Sequence, residues 1–449
     1  MKCLIIAAGE GSRLSTRGDS KPLIPILELP LIERVILTAR EAGLSDFYVV
    51  TGYNGEKLRD HLNKFGQEKN LKITHLVNDD WEKENGLSVL KAKGEIKENF
   101  ILLMSDHIFD GTILPELLRE KNLDGEVILA VDSSLDNKNV DIDDVTKVLT
   151  DDDHKIINIG KKIRKYNAYD TGIFLCSPAI FEALEESSAC GETSLSAGIK
   201  ILAQKEKARV FDIKGRYWID VDDEKAFKKA ENVLLNNLKK ASDGPISRYV
   251  NRPISVRISR YLLNKNITPN QISFFSFILS IVGAFFFFLG GYVNLLTGGI
   301  LAQLSSIIDG CDGEIARLKF QASDFGGWYD AVLDRYADAF LLFGLTCYAY
   351  FPGENFLYLL IGFLALIGSF MNSYTADKYD GLMKKRTAPG KHYFRMGRDI
   401  RMFIIFLGAI TSQPLLALLV IALLTNTENI RRIVVFYKSK QSKQKQTKI

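Results

Sequence analysis

Two hydrophobic patterns divide the chain near residue 235. Before that point, short apolar runs alternate with amphipathic or polar stretches: residues 2–8, then LIERVILTAREAG, DFYVVTG, a polar helix-like run, LKITHLV and NFILLMSDHIFD. Buried strands interleaved with helices predict an α/β doubly wound domain over 1–235. After that point the apolar runs lengthen and charge thins out. Spans are expected at 271–290, 295–317, 326–350, 356–376, 399–412 and 414–435, an all-α six-helix transmembrane domain over 269–437. Between the two, residues 236–268 read as a linker and a juxtamembrane amphipathic helix. Arg248, Arg252, Arg257 and Arg260 are set there among apolar residues, as in helices lying on a membrane surface. Thr268 and Pro269 fit the N-cap and first turn of the next helix. Residues 438–449 form a basic tail.

Charge adds topology. The net charge of +4 on 449 residues is too small to imply nucleic-acid binding. Lys and Arg instead crowd before the first span, at Arg317 and Lys319, from Lys378 to Arg401 and after Arg431, while GGYVNLLT, YFPGENF and ITSQPL carry none. The positive-inside rule then predicts a multi-pass protein of the cell membrane with both termini and both candidate sites cytoplasmic. No signal peptide is expected, because MKCLIIAAGEGSRL turns to glycine and charge after a short apolar run. Five scattered cysteines without Cys-x-x-Cys spacing argue against a disulfide framework or a zinc site. His61, His75, His107, His154 and His392 lack ligand spacing and read as ordinary histidines.

The candidate chemistry of the apolar half lies between Asp309 and Asp334. On helices, Asp309, Asp312 and Ala316 share one face, and so do Asp330 and Asp334. Two facing helices would bring four carboxylates to one point, where hard divalent cations such as Mg²⁺ or Mn²⁺ would offset their repulsion. Gly313, Ala316 and Gly326 leave room for a flat ligand near backbone, and Arg317 adds positive charge at its edge. With Asp309 they form a candidate nucleotide-binding set. An ion-pair cluster or an ion pathway would also put acids in a membrane, but neither asks for the small residues.

This order, from Asp309 and Asp312-Gly313 through Ala316-Arg317 and Gly326 to Asp330 and Asp334, resembles the signature of the CDP-alcohol phosphotransferase family. The resemblance implies a six-helix membrane enzyme that moves a phosphoalcohol from a CDP-alcohol to a second alcohol and releases CMP. By it, Asp309, Asp312 and Asp330 hold the metals, and Asp334 is the base that deprotonates the acceptor hydroxyl. The basic residues Arg386, Lys391, Arg395, Arg398 and Arg401 either set topology or bind the phosphate of the acceptor.

In the first half, Gly9, Gly11 and Arg13 follow a buried strand directly. A glycine turn there lets backbone amides approach phosphates, and Arg13 with Lys21 can neutralise a triphosphate. Asp106 ends one strand and Asp220 another, so the two could share a divalent cation. The neighbouring Asp222 and Asp223 read as solvated or helix-capping acids, with a shift of the ligand role from Asp220 to Asp222 left open. These residues resemble the sugar-phosphate nucleotidyltransferases. That resemblance implies that Arg13 and Lys21 bind the nucleoside triphosphate, that Asp106 and Asp220 bind the metal, and that Glu84, Asn85, Gly86 and Ser88 lie near the base. Lys161 and Asp170 fall where such proteins contact the sugar phosphate. Ser20 stands where many of them have proline.

The fusion resembles the bifunctional inositol-1-phosphate cytidylyltransferase and di-myo-inositol phosphate phosphate synthase family. It implies CTP, a CDP-alcohol and phosphorylated polyols as substrates, a lipid bilayer and a second copy of the chain as partners, and synthesis of a compatible-solute precursor. The other reading is a phospholipid-type transferase whose first domain makes a different CDP-polyol or CDP-choline-like donor for a lipid acceptor.

Overall fold

The structure, a computed structural model, describes residues 1–120, 125–137, 140–239, 243–383 and 396–446. The chain forms two compact units, Met1–Leu234 and Leu235–Ile449.

In the first unit, nine strands form one sheet: β1 (Lys2–Ala7), β2 (Asp46–Thr51), β3 (Lys72–Val77), β4 (Phe100–Met104), β5 (Val127–Asp132), β6 (Lys147–Thr150), β7 (Ile156–Gly160), β8 (Ala168–Cys176) and β9 (Ala208–Asp212). β1 lies between β2 and β4 and runs parallel to both. That central place is why Cys3–Ala7 are all buried and apolar rather than alternating. The parallel part, β3-β2-β1-β4, follows the doubly wound pattern. β8 then runs antiparallel to β4, β5 and β6, so the sheet is mixed. Leu4, Phe100, Leu129 and Phe174 belong to the core of the sheet, and Phe100 stacks on Phe181 with ring centroids 5.4 Å apart.

A second, two-stranded sheet sets the chemistry. His107–Phe109 pairs antiparallel with Trp218–Asp220, placing His107 opposite Asp220. Because Asp106 follows β4 almost at once, this pairing carries Asp220 to the edge of the main sheet at which β1 and β4 end.

The second unit opens with a π-turn (Ser247–Asn251) and α1 (Arg252–Leu262). On α1 Arg257 and Arg260 face outward as expected, but the helix also has a polar side turned inward. Arg252, Ser255 and Ser259 are buried, while Tyr249, Ile254 and Tyr261 are exposed. The cause is Glu314, fully buried on the neighbouring helix. It accepts hydrogen bonds from Arg252 (2.6 Å), Ser255 Oγ (2.6 Å) and Ser259 Oγ (2.7 Å), while Arg252 also pairs with Asp243 (2.8 Å). A buried carboxylate needs such partners.

There follow, among the described residues, α2 (Pro269–Phe288), α3 (Tyr292–Leu318), α4 (Asp324–Tyr350), α5 (Phe356–Met383), α6 (Arg398–Ile410) and α7 (Pro414–Gln446). Thr268 caps α2 in a reciprocal capping box with Gln271, and Pro269 occupies the first turn. Among the described residues two helices are long and apolar enough to cross a membrane: α2, and the Phe356–Ala376 part of α5, with mean hydropathies of 2.0 and 1.8. The other helices carry the acids and arginines that make the site.

Candidate active sites

In the first unit a cleft of about 770 Å³ opens at the ends of β1 and β4. Gly9, Gly11, Arg13, Lys21, Asn85, Asp106, Lys161, Asp170 and Asp220 all line it. Gly11 has φ +64°, and a Cβ there would overlap the Lys21 side chain, so the turn needs glycine. Gly86 is buried against Thr193 and Ser194 and is not among the lining residues. Glu84 is held by the Thr193 amide (3.2 Å) and hydroxyl (3.0 Å). Asn85 accepts from the Leu195 amide (2.9 Å). These two acceptors pin the Thr193–Leu195 segment, and Asn85 is left as the lining member of the pair.

Lys21 Nζ lies 2.5 Å from Asp106 Oδ2 and also pairs with Asp222. Arg13 bridges Asp222 (2.5 Å) and Asp144 (2.8 Å), and Lys161 shares Asp144 (2.5 Å). Asp222 is therefore an ion-pair partner inside the cleft rather than a solvated acid. Asp223 accepts from the Ala226 amide (2.6 Å) and caps the helix Glu224–Asn236.

His107 is the residue the sequence reading passed over. Its Nδ1 lies 2.8 Å from the Thr171 carbonyl, and its Nε2 lies 3.5 Å from Asp220 Oδ2 and 3.9 Å from Asp106 Oδ1. Gly172, at φ +73°, makes room for the ring, which a Cβ would overlap. The signal was adjacency to Asp106, because a strand turning back there brings its first residue to the same rim.

The field of the cleft shows in its titrations. Burial alone would lower Lys21 and His107, but the surrounding Asp106, Asp220 and Asp222 raise Lys21, and Asp220 and Asp106 raise His107 to about 10. Burial pushes Asp220 up, yet His107, Lys21 and Arg13 hold it below the usual carboxylate range. Burial raises Asp170 to about 6 against the hydrogen bond it accepts from the Gly172 amide.

In the second unit, α3 and α4 place ligand oxygens of Asp309, Asp330 and Asp334 within 4.8 Å of one another. Asp312 lies one helical turn along α3 and takes a hydrogen bond from Ser273, as Asp309 does from Ser276 (3.1 Å). Asp330 Oδ1 is buried with no hydrogen-bond partner, an acceptor that a cation held by these acids would satisfy. The oxygen-only donor set suits a hard divalent ion. Gly313 and Ala316 follow Asp312 on α3. Arg317 donates to the Leu238 carbonyl (3.1 Å), and Gly326 donates to the N-cap Ser323 Oγ (3.0 Å) in the first turn of α4.

Arg398, at the start of α6, lies 2.9 Å from Asp309 and 2.8 Å from Asp334. Behind it Asp338, 3% exposed, takes Arg398 Nε (3.4 Å), Arg401 (2.5 Å) and Ser369 (3.1 Å). Next to these acids is a pocket of about 270 Å³ whose lining includes Asn372, Arg398, Arg401 and Arg432. Glu428 (3.0 Å) and the Asn372 carbonyl (2.6 Å) brace Arg432. Asp338 and Arg432 were not singled out from the sequence, though Asp338 continues the four-residue step from Asp330 through Asp334. Arg386, Lys391 and Arg395 lie outside the described residues.

Comparison with known proteins matches both units. The model of the MobA-like NTP transferase domain matches residues 3–191. That of CDP-alcohol phosphatidyltransferase matches residues 266–425. The "Structure of the inositol-1-phosphate CTP transferase from T. maritima" aligns with a TM-score of 0.47 and 23% identity, covering 52% of this chain and 94% of that one. The bifunctional IPC transferase and DIPP synthase of Rubrobacter xylanophilus is 34% identical, over 96% of this chain and 95% of the relative. The protein of the same description from Aquifex aeolicus is 34% identical, over 97% of this chain and 98% of the relative. With both acidic sites present and the match running through both units, the chain belongs to the family of bifunctional IPC transferases and DIPP synthases.

Proposed function

We propose that the first unit transfers a cytidylyl group from CTP to inositol 1-phosphate, forming CDP-inositol and diphosphate. The second unit then transfers the phosphoinositol group of CDP-inositol to another inositol 1-phosphate, giving di-myo-inositol phosphate phosphate and CMP. The observation that carries this reading is the full-length match to bifunctional relatives in a chain that holds both acid sites and a basic pocket beside the second.

In the first reaction the substrate phosphate attacks the α-phosphorus of CTP. Arg13 and Lys21, now paired with Asp144, Asp106 and Asp222, exchange those acids for triphosphate oxygens and stabilise the charge that spreads over them. Asp106 and Asp220 would hold a divalent cation, Mg²⁺ or Mn²⁺, which when bound neutralises phosphate charge. Asn85, with Gly86 packing behind it, faces the nucleotide, and Lys161 with Asp170 faces the polyol phosphate.

In the second reaction Asp334 takes the proton from the acceptor hydroxyl, and Asp309, Asp312 and Asp330 would hold the cation. Gly313, Ala316, Arg317 and Gly326 receive the CDP moiety. Arg398, Arg401 and Arg432 supply the charge for the acceptor phosphate, a cationic set in the pocket lining that favours a phosphorylated polyol over a lipid acceptor. The second unit is a six-span domain of the cell membrane with its termini and both sites on the cytoplasmic side, a reading supported by the placement of Lys and Arg. Exposed apolar residues such as Phe274, Phe285, Phe363 and Leu423 suit lipid and a second copy of the chain.

Phosphorus NMR of the protein in detergent with Mg²⁺, CTP and inositol 1-phosphate tests both steps. Diphosphate and a CDP-alcohol, then CMP and a new phosphodiester, are expected. Diphosphate without the phosphodiester would overturn the second assignment, and an unchanged CTP spectrum would overturn the first.

A further inference from the structure

Resting on the reading of the first unit as a metal-dependent cytidylyltransferase, we propose that His107 is itself a ligand of the cation there. Its Nε2 joins Asp106 and Asp220, so this site offers a nitrogen donor and favours Mn²⁺ or Co²⁺ more strongly than the all-oxygen site of the second unit does.

The ring is set up for this by its other nitrogen. Nδ1 faces the Thr171 carbonyl at 2.8 Å, and a carbonyl only accepts, so Nδ1 carries a proton and donates it. A cation binds the neutral ring, displacing the proton that Asp106 and Asp220 otherwise favour there, and the lone pair is then on Nε2. Histidines that bind metals show this arrangement, with the far N–H donated to a carbonyl or carboxylate that fixes tautomer and ring plane. Nε2 then points at Asp220 Oδ2 (3.5 Å) and Asp106 Oδ1 (3.9 Å). Ligands each about 2.1 Å from a common ion lie roughly 3–4 Å apart, so neither distance requires rearrangement. The Asp106 oxygen involved is not the one nearest Lys21, which is Oδ2.

Two further observations separate a ligand from an incidental ion pair. Asp220 Oδ1 is buried without a hydrogen-bond partner, so contact with the ring alone leaves that carboxylate unsatisfied. The main chain is also shaped around the imidazole, with Gly172 held at φ +73° where any Cβ would overlap it. Imidazole nitrogen suits the later first-row divalent ions, whereas carboxylate and phosphate oxygen suit Mg²⁺.

The test is pulsed EPR on the full-length chain carrying Asp309→Asn and Asp330→Asn, which disable the other acid site, with Mn²⁺ as the only added ion. Bound Mn²⁺ should show ¹⁴N modulation that changes on ¹⁵N-histidine labelling. In His107→Gln the modulation should vanish and Mn²⁺ affinity fall at least about tenfold. Mn²⁺ that binds without nitrogen coupling, or with coupling that survives His107→Gln, overturns the ligand role and leaves the carboxylate site standing. Absence of bound Mn²⁺ overturns both. The labelling experiment uses an intact His107, so it decides the matter even if the variant does not fold.

Discussion

The two acid sites solve one problem with different architecture. Each gathers carboxylates whose repulsion has to be offset, and each rests a basic side chain against them: Lys21 on Asp106 and Asp222, and Arg398 on Asp309 and Asp334. In the first unit the acids come from strand ends far apart in sequence and face a wide cleft. In the second they come from two helices at regular spacing, and their cation is anchored from behind by Asp338. On the proposed reading Lys21 is released to a phosphate, while Arg398 stays between the acids and Asp338 in the lining of the basic pocket. A site at strand ends is thus adjusted through its loops, and a site within packed helices through the partners behind it.

The largest effects should come from cutting one site and leaving the other. Asp334→Asn should slow CMP release by about 10²–10⁴-fold, the usual contribution of a general base, while CDP-alcohol formation continues. Asp106→Ala should stop diphosphate release, yet leave transfer from supplied CDP-alcohol intact. Loss of both activities in either folded variant, followed by phosphorus NMR, would break the two-site comparison.

Next in size is Asp338→Asn. It leaves Arg398 and Arg401 buried with one shared counter-charge removed, and breaking a buried pair in this way costs about 3–5 kcal/mol. The melting temperature of the second unit in detergent should fall and its reaction should fail, with cytidylyl transfer unchanged. If the variant melts as the parent does, Arg398 is not held from behind. Gly172→Ala is the counterpart in the first unit. A non-glycine residue at φ +73° costs about 1–3 kcal/mol, and the added methyl displaces His107. Cytidylyl transfer should drop while transfer from supplied CDP-alcohol is untouched; equal loss of both would contradict that separation.

What the sequence made legible follows from the same contrast. Helical spacing is read directly from residue numbers, so Asp309 with Asp312, and Asp330 with Asp334, could each be set on one face without a fold, and two facing helices would bring them together. Asp338 was within reach on the same rule. Arg432 was not, because α7 meets α5 only in three dimensions and one arginine in a long helix announces no partner. The strands of the sheet were legible from their apolar runs, but the pairing of His107 with Asp220 was not, since it joins segments more than a hundred residues apart. The buried polar face of α1 was misread for a related reason. Arg252, Ser255 and Ser259 scan as part of the surface pattern of Arg257 and Arg260 until Glu314 is placed against them.

The smallest effect separates neighbouring acids in the first unit. Asp220 belongs to the candidate metal cluster, Asp222 pairs with Lys21 and Arg13, and Asp223 caps the helix Glu224–Asn236. Asp223→Ala removes only a cap, worth about 0.5–2 kcal/mol, so the first unit should melt about 2–4 °C lower per kcal/mol lost with its KM for CTP nearly unchanged. Asp222→Ala should instead alter KM for CTP, because it removes an acid with which the nucleotide phosphates compete for Lys21 and Arg13. If Asp223→Ala raised KM and Asp222→Ala changed only the melting temperature, the roles would be exchanged. The cleft would then be organised by the helix N-terminus rather than by the ion pairs at its floor.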